Sequence, residues 1–271
     1  MKVNGIIWNC FLLLILNPNK NLMLKEERQH AILNEVELHN RVLLTDLAEK
    51  LDVSIDTVRR DVKELDAENL LTKVHGGAVS LGFVNHSPAR SNVYALDKKV
   101  SIAKKASTLL RNNSVILIDG GTTCLELARL LPTNIKLTCF TLSLPVAMEL
   151  LGKPNVETIF IGGTLSRDSQ IAVGSNTINA LAQIKVDYSF IGTGYVDAEF
   201  GLTEFDWEVV QTKKAVINAS KKTVLLCISE KLNSQHRFKT CDLNVISTMV
   251  TELEPWDKKL DAFKNMNIQL L

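Results

Sequence analysis

The sequence SVILIDGGTT at residues 114–123 decides the fold of the larger part of this chain. Its apolar run after Ser114 is typical of a buried strand, and Gly120 and Gly121 mark a sharp turn into the amphipathic helix pattern of residues 122–131. A helix that begins directly after such a turn presents free backbone N–H groups at the positive end of its dipole. The stretch therefore predicts a phosphate or carboxylate site, with an ordinary strand–helix turn capped by a threonine as the alternative.

Strand and helix patterns alternate along the rest of this region. Buried β-branched runs separated by helices favour a mostly parallel sheet covered on both faces, so the fold class is α/β. The sequence places strands near residues 114–119, 135–141, 156–162, 186–192, 223–228, 243–249 and 267–271, and helices near residues 122–131, 145–151, 175–184, 207–220 and 256–264.

The carboxyl ends of the predicted strands share a composition rich in glycine and hydroxyl side chains. Such ends lie at residues 119–123, 141–143, 162–164 and 192–194. Because ligands of parallel α/β sheets bind outside the carboxyl ends of the strands, we expect these segments to converge on one ligand site.

The composition excludes a strong attraction of the whole chain to nucleic acid or membrane, because 31 Lys and Arg balance 30 Asp and Glu. The cysteines show no CxxC spacing, and Cys124, Cys139 and Cys227 lie in apolar runs. This favours buried free thiols and a reducing cytoplasm. The histidines show no metal-ligand spacing, so neither a metal nor a cofactor is predicted.

Residues 1–22 do not fit the rest of the chain. Residues 6–16 form an apolar run that is too short to span a bilayer, and no small-residue cleavage site follows it. We expect this segment to be a non-native leader or disordered, with translation beginning at Met23, and we expect no membrane association. The intact mass of protein expressed from the native gene would test the start site.

Residues 23–80 have the pattern of a winged helix-turn-helix domain. A helix near residues 24–37 precedes a short helix with Thr45 as its predicted N-cap, and Ser54 is the predicted cap of a helix over residues 55–70. On this last helix the apolar side chains lie within one narrow arc. Residues 70–79 predict two short strands joined at a glycine pair, which is a wing.

The region after the wing reads as a linker over residues 81–96. It contains Gly, Pro and Asn with little periodicity, which is typical of a domain boundary. Asp97 is the predicted cap of the next helix, which ends near Leu110. The second domain is therefore expected to cover residues 97–271.

A solvated helical hairpin is the alternative to a DNA-binding domain. Residues 23–80 hold more acidic than basic side chains, contrary to the usual nucleic-acid footprint. Most of the acids lie outside the N-terminal half of the second helix, however, whereas four basic residues lie where groove and phosphate contacts would fall: Arg59, Arg60, Lys63 and Lys73. This placement favours DNA binding.

Three motifs resemble the DeoR family of bacterial transcription regulators: KEERQHAIL at residues 25–33, LAEKLDVSIDTVRRDV at residues 47–62 and KVHGGA at residues 73–78. The likeness extends over the rest of the chain from Met23 onward. It implies a DNA-binding regulator, a repressor of a sugar-catabolism operon, whose sensor domain resembles sugar-phosphate isomerases and binds a phosphorylated sugar or similar anion. Double-stranded operator DNA is the expected partner, and a homo-oligomer (dimer or tetramer) is expected because operators are usually repeated.

The pattern and the resemblance together give two sets of candidate site residues. The predicted DNA-binding residues are Thr45, Ser54, Asp56, Thr57, Arg59, Arg60, Lys63, Lys73, His75 and Gly76. The effector-binding residues that the resemblance implies are Asp119, Gly120, Gly121, Thr122, Thr123, Ser143, Gly162, Gly163, Gly174 and Lys231.

Two positions depart from the family pattern. Leu142 stands where the family usually has Asn, and Ile228 stands where it usually has Asp. An amide and a carboxylate that would bind sugar hydroxyls are thereby replaced by apolar groups. The departures predict either a different or less hydroxylated ligand, or a poor response to sugar phosphates.

An enzyme acting on sugar phosphates is the alternative function, because the second domain resembles an isomerase. Fold alone does not confer activity. Isomerisation requires a positioned general base, and no carboxylate pair or histidine stands out near the glycine-rich turns. The prediction is therefore a regulator and not an enzyme.

Overall fold

The computed structural model describes residues 23–81 and 93–271. The predicted leader and most of the predicted linker lie outside these residues. Within the two described ranges, no helix has the length and apolar character needed to cross a lipid bilayer.

The first domain packs three helices against a small antiparallel sheet. Its elements are α1 (Lys25–His39), β1 (Arg41–Leu43), α2 (Leu44–Lys50), α3 (Ile55–Ala67), β2 (Thr72–Val74) and β3 (Gly77–Val79). The strand order is β1-β3-β2. The apolar faces of the helices meet in one core that includes the buried residues Ile32, Leu47, Val58, Val62 and Leu65. Each fully buried aliphatic side chain of this kind stabilises the fold by roughly 1.5–3 kcal/mol. The predicted winged helix-turn-helix fold is confirmed.

A buried ion pair fixes α3 on α1. Arg28 donates from Nε to Asp61 Oδ2 at 2.5 Å and from its terminal nitrogen to Asp61 Oδ1 at 3.1 Å. Asp61 is 2% exposed, so its charge depends on this two-pronged partner. The pair holds the exposed face of α3 in a fixed orientation.

Helix boundaries in this domain differ from the predictions at two places, and one predicted cap is present. Thr45 is not the cap of α2: the chain enters the helix directly from β1, with Leu44 N–H donating to the Gly76 carbonyl at 2.9 Å. α3 ends at Ala67, before the predicted Leu70, because Asn69 adopts a left-handed conformation with φ 56°. Ser54 does cap α3, accepting a hydrogen bond from Thr57 N–H at 3.1 Å.

The second domain is a parallel sheet with helices on both faces. Its helices are α4 (Leu96–Ser107), α5 (Thr122–Arg129), α6 (Leu144–Leu150), α7 (Ser175–Leu181), α8 (Trp207–Asn218) and α9 (Asp261–Lys264). Its strands are β4 (Ser114–Ile118), β5 (Leu137–Thr141), β6 (Val156–Phe160), β7 (Thr164–Leu165), β8 (Ala172–Val173), β9 (Val186–Ile191), β10 (Tyr195–Asp197), β11 (Gly201–Glu204), β12 (Ser220–Leu226), β13 (Phe238–Cys241), β14 (Thr248–Val250) and β15 (Gln269–Leu270). The predicted α/β class is confirmed.

The order of the main sheet creates a switch point at its centre. The seven strands lie in the order β15-β14-β12-β9-β4-β5-β6, and their pairings are parallel. The chain runs outward from β4 to β6, then returns to β9 on the other side of β4. A crevice therefore opens where the loops after β4 and β9 diverge, which is where parallel sheets bind ligands.

Both faces of this sheet are buried at its central strands, whereas the edge strand β6 is largely exposed. Leu117, Ile191 and Leu225 face one core, and Ile116, Phe190 and other residues face the second. The buried cysteines Cys124, Cys139 and Cys227 are free thiols, as predicted.

Several elements of the second domain were not predicted or begin elsewhere. The hairpin β7–β8 and the small sheet β10-β11-β13 were missed because their strands have only two to four residues. α4 begins at Leu96 after Ala95, whose φ is 50°, so Asp97 is in the first turn and is not the cap. This helix ends at Ser107, before the predicted Leu110, because the hydroxyl of Thr108 turns back to the Lys105 carbonyl.

Candidate functional site

A cavity lies at the switch point of the main sheet. Its walls include residues 119–124 after β4 and residues 192–194 after β9. Lys231, in the short 3₁₀ helix Ser229–Lys231 after β12, forms part of the same wall. The strand order thus brings together side chains and backbone groups that are far apart in sequence.

The turn between β4 and α5 supplies backbone donors to this cavity. Gly121 precedes α5 with φ 99°, a conformation that favours glycine. The next residues, Thr122 and Thr123, form the first turn, where backbone N–H groups have no partner within the helix. An anion at this position would meet both these donors and the positive end of the helix dipole.

A buried cluster of two carboxyl groups and one lysine forms the deep wall. Lys213 donates to Glu204 Oε1, and its Nζ lies 4.0 Å from Asp119 Oδ2. Burial opposes the charged form of Lys213, but Glu204 and Asp119 outweigh that effect and raise its pKa. Burial raises the pKa of Asp119, against the opposing effect of Lys213. Asp119 Oδ1 is buried without a hydrogen-bond partner among the described residues.

Two further lysines line the cavity with no carboxylate within ion-pair distance among the described residues. Lys99 is 4% exposed, and burial together with the charge of Lys231 lowers its pKa to about 7. Burial also lowers the pKa of Lys231, whose ammonium donates to the Thr193 carbonyl at 2.8 Å. Because the two cations repel each other in a poorly solvated place, a bound anion would stabilise both.

The first domain closes one side of the cavity. His39, Asn40 and Arg41, at the junction of α1 and β1, belong to its lining. His39 Nδ1 lies 3.2 Å from the Gly194 carbonyl, and its ring stacks on Tyr195 with centroids 4.2 Å apart. Burial lowers the pKa of His39 to about 3, so the ring is neutral and donates from Nδ1.

Of the predicted effector residues, six line the cavity: Asp119, Gly120, Gly121, Thr122, Thr123 and Lys231. Four lie outside the lining: Ser143, Gly162, Gly163 and Gly174. Ser143 is buried, Gly174 is half-buried, and Gly162 and Gly163 are exposed. Gly163, for example, packs so closely against Thr177 Oγ1 that a side chain would overlap it.

The two departures from the family pattern have different locations. Leu142, the residue after β5, is fully buried in the hydrophobic core and does not line the cavity. Ile228 lines the cavity and is 2% exposed. Only the second apolar substitution therefore alters the surface that a ligand would meet.

The predicted DNA-binding residues form an exposed surface on α3 and the wing. Asp56, Arg59, Arg60 and Lys63 are exposed along α3, and Thr57 is half-buried. The remaining members of the set, Thr45, Ser54, Lys73, His75 and Gly76, are exposed at the helix starts and on the wing. Asp66 Oδ1 accepts a hydrogen bond from Lys73 N–H at 2.9 Å, which ties the wing to α3.

The arginines on α3 differ in their partners. Arg59 is paired with Asp56 one turn earlier. Arg60 has no ion pair within the described parts of the chain, so its guanidinium is available to a phosphate or a base edge.

Comparison with protein families assigns both domains. Residues 28–82 match the DeoR-like helix-turn-helix domain, and residues 95–253 match the DeoR C terminal sensor domain. The chain belongs to the DeoR family. It is therefore a DNA-binding transcriptional regulator with a sensor domain, as the sequence motifs predicted.

Curated DeoR relatives are similar over most of the chain. The HTH-type transcriptional regulator GolR of Listeria innocua is 33% identical over 76% of this chain and 82% of its own. The glycerol-3-phosphate regulon repressor of Escherichia coli is 29% identical over 92% of this chain and 99% of its own. Among solved structures, ribose 5-phosphate isomerase A of Methanocaldococcus jannaschii is 20% identical over 50% of this chain and 54% of its own, with a TM-score of 0.38. This similarity carries no argument about function.

Several cavity residues were not predicted from the sequence: His39, Arg41, Lys99, Glu204 and Lys213. A signal for the two lysines was present, because each occupies a position in the apolar stripe of its helix. Lys99 precedes the buried Ile102, Ala103 and Ala106 at helical spacing.

Proposed function

We propose that this regulator is a repressor that a small phosphorylated sugar or polyol releases from its operator. The observation that carries the proposal is the presence of two lysines, Lys99 and Lys231, with no ion-pair partner among the described residues, in a cavity that also contains the N-terminus of α5. A dianionic phosphate satisfies both features at once. A relative named as the glycerol-3-phosphate regulon repressor, similar over nearly its whole length, supports the same class of effector.

The deep wall of the cavity suits the hydroxylated part of such a ligand. Asp119 Oδ1 lacks a partner among the described residues and accepts a hydroxyl donor. Ile228 lies on the same surface and offers apolar contact where a carboxylate would bind a second hydroxyl. We infer a short ligand with few hydroxyl groups.

Binding to the operator is assigned to α3 and the wing. Arg60 and Lys63 on the exposed face of α3 would contact the major groove, and Lys73 and His75 would contact the adjacent backbone. A regulator of this kind acts where the chromosome lies, in the bacterial cytoplasm, and it would bind repeated operators as a dimer or tetramer.

Fluorescence anisotropy on DNA from the upstream region of its own gene tests the proposal. The full chain is titrated at fixed salt, with and without inorganic phosphate, glycerol 3-phosphate, and pentose and hexose phosphates. Release by one phosphorylated compound supports the proposal, and tight binding that none of them releases contradicts it.

Two variants make this experiment specific. Arg60→Ala is expected to weaken operator binding by about 5–150-fold, because a bidentate base contact contributes about 1–3 kcal/mol. Arg111→Ala is the matched control, because Arg111 is an exposed arginine of the second domain. Equal operator affinity of the two variants would remove the role given to Arg60.

The enzyme alternative is addressed by the same purified protein. We propose that the cavity binds its ligand without converting it, because Glu204 is already bonded to Lys213 and to the Gly194 N–H. Turnover of a pentose or hexose phosphate that Asp119→Asn abolishes would favour an enzyme instead.

A further inference from the structure

The side chain of Arg41 stands between the two domains. It lies in β1 of the DNA-binding domain and lines the cavity of the sensor domain. Its terminal nitrogen donates to Asp168, in the turn between β7 and β8, and its guanidinium lies over the Phe205 ring at 5.1 Å from the centroid. One residue of the DNA-binding domain is thus both a domain contact and a cavity wall.

Arg41 has unused hydrogen-bonding capacity at this position. Its Nε is buried and has no partner among the described residues. A guanidinium binds two oxygens of one phosphate or carboxylate in a fork, and Asp168 uses only a terminal nitrogen. A second buried group facing the same cavity, Asp119 Oδ1, is also without a partner among these residues.

We propose that Arg41 is an effector-binding residue contributed by the DNA-binding domain, and that a bound phosphate replaces Asp168 as its ion-pair partner. This inference rests on the proposed function and adds a residue and a coupling step to it. The phosphate lies between Lys99, Lys231 and the N-terminus of α5, and Arg41 turns from the cavity rim toward it. β1 then shifts, and the shift moves the wing because β1 pairs with β3.

The pairing of β1 explains how a change at Arg41 reaches the DNA-binding surface. Arg41 pairs with Val79 and Leu43 pairs with Gly77, so β1 and the wing form one sheet. Leu44, at the start of α2, is bonded to the Gly76 carbonyl at the tip of the wing. A displacement of Arg41 therefore changes the position of the wing relative to the sensor domain.

The test is isothermal titration calorimetry of the full chain with two probes, inorganic phosphate and glycerol 3-phosphate. Arg41→Gln is expected to weaken binding by about tenfold or more, since a charge-assisted hydrogen bond contributes about 1.5–3 kcal/mol. Asp168→Asn is expected to strengthen binding, because it frees Arg41. Opposite changes in probe affinity in the two variants cannot result from a general loss of structure, which would weaken binding in both.

Arg237→Gln is the matched control. Arg237 also joins the two domains, donating to Asp46 Oδ1 at 3.0 Å, but it does not line the cavity. We expect it to leave the affinity for either probe unchanged. Equal weakening by Arg237→Gln and Arg41→Gln would show that domain docking, and not direct contact, controls binding, and it would overturn the assignment.

Release of operator DNA separates this inference from the function on which it rests. If neither probe binds the unaltered protein, the proposed phosphate effector fails, and the role of Arg41 fails with it. If a probe binds and releases DNA equally from the unaltered protein and from Arg41→Gln, the effector stands and the role of Arg41 is refuted. Binding to Arg41→Gln that no longer releases DNA supports the coupling step directly.

Discussion

Replacement of Lys99 by Met is expected to stabilise the sensor domain in a strongly pH-dependent way. Lys99 is 4% exposed, and burial followed by the charge of Lys231 lowers its pKa from 10.5 to about 7. That displacement corresponds to about 5 kcal/mol of unfavourable free energy for the charged form, at 1.36 kcal/mol per pH unit. Met has a similar length and no charge, so it removes this cost.

The sign of the pH dependence follows from proton binding. Between pH 7 and 10.5 the unfolded chain keeps the proton of Lys99 and the folded chain loses it, so the stability of the unaltered protein rises with pH in this window. The advantage of Lys99→Met is therefore largest below pH 7, at about 5 kcal/mol. It falls to about 3 kcal/mol at pH 8.5 and about 1 kcal/mol at pH 10. The Met side chain also loses the contact between the Lys99 ammonium and the Tyr94 ring, which reduces the stability advantage by about 1 kcal/mol at pH values where Lys99 is charged.

Urea titrations followed by tryptophan fluorescence at pH 6, 8.5 and 10 measure this difference. Among the described residues the tryptophans are Trp207 and Trp256, and both report on the sensor domain. Lys104→Met is the control, because Lys104 is exposed on the same helix. A Lys99→Met protein that is equally stabilised at all three pH values, or destabilised at pH 6, would refute the reasoning. Its affinity for phosphate should fall while its stability rises.

Three further changes test the packing that holds the two sites. Arg28→Met leaves the Asp61 carboxylate buried without its partner and should destabilise the first domain by about 3–5 kcal/mol. The loss of stability should appear as faster hydrogen exchange of the α3 amides, and the double variant Arg28→Met/Asp61→Leu should recover it. Gly77→Ala places a methyl group against the Val42 carbonyl oxygen and should disrupt the wing and weaken operator binding, whereas Gly76→Ala meets open space and costs only about 1–2 kcal/mol for its positive φ. Glu204→Gln removes the nearest carboxylate from the buried Lys213 and should lower the urea midpoint of the sensor domain by an amount equivalent to about 3 kcal/mol; the exposed Glu208→Gln should leave it unchanged.

The elements that periodicity predicted are those with a continuous buried stripe. β4, β5 and β9 are runs of five or six residues buried between helices, and the helices that cover them carry one apolar face each. This burial can be read from the local sequence, because a strand that faces two hydrophobic cores needs apolar side chains on both sides. The short strands β10 and β11 show no such pattern, because they have only three and four residues, and β11 also pairs with β13, more than thirty residues away.

The cavity residues that lie in one continuous loop could be predicted from the sequence. Those that come together from distant parts of the chain could not. The loop at residues 119–123 contains its own signal, because glycine and threonine at a strand–helix turn have a direct physical meaning. Arg41 is separated from Asp168 by 127 positions, and no local pattern connects them. Ser143 and Gly163 have the composition of ligand residues but lie outside the cavity lining, and at Gly163 close packing against Thr177 is a separate reason for a small residue.

The polar character of the domain junction is itself an argument for a switch. Besides Arg41 with Asp168, the junction contains His39 on the Gly194 carbonyl and Asp46 accepting from His236 Nε2 at 2.8 Å. If the interface were apolar, any displacement of the two domains would expose apolar surface to water, at a free-energy cost of about 25 cal/mol per Å². A polar contact can instead exchange one partner for another at nearly equal free energy. Allosteric coupling of 5–150-fold requires only about 1–3 kcal/mol, which is the range of one charge-assisted hydrogen bond. Exchange of Arg41 between Asp168 and a phosphate is therefore sufficient in size to couple the cavity to the wing, without any rearrangement of either hydrophobic core.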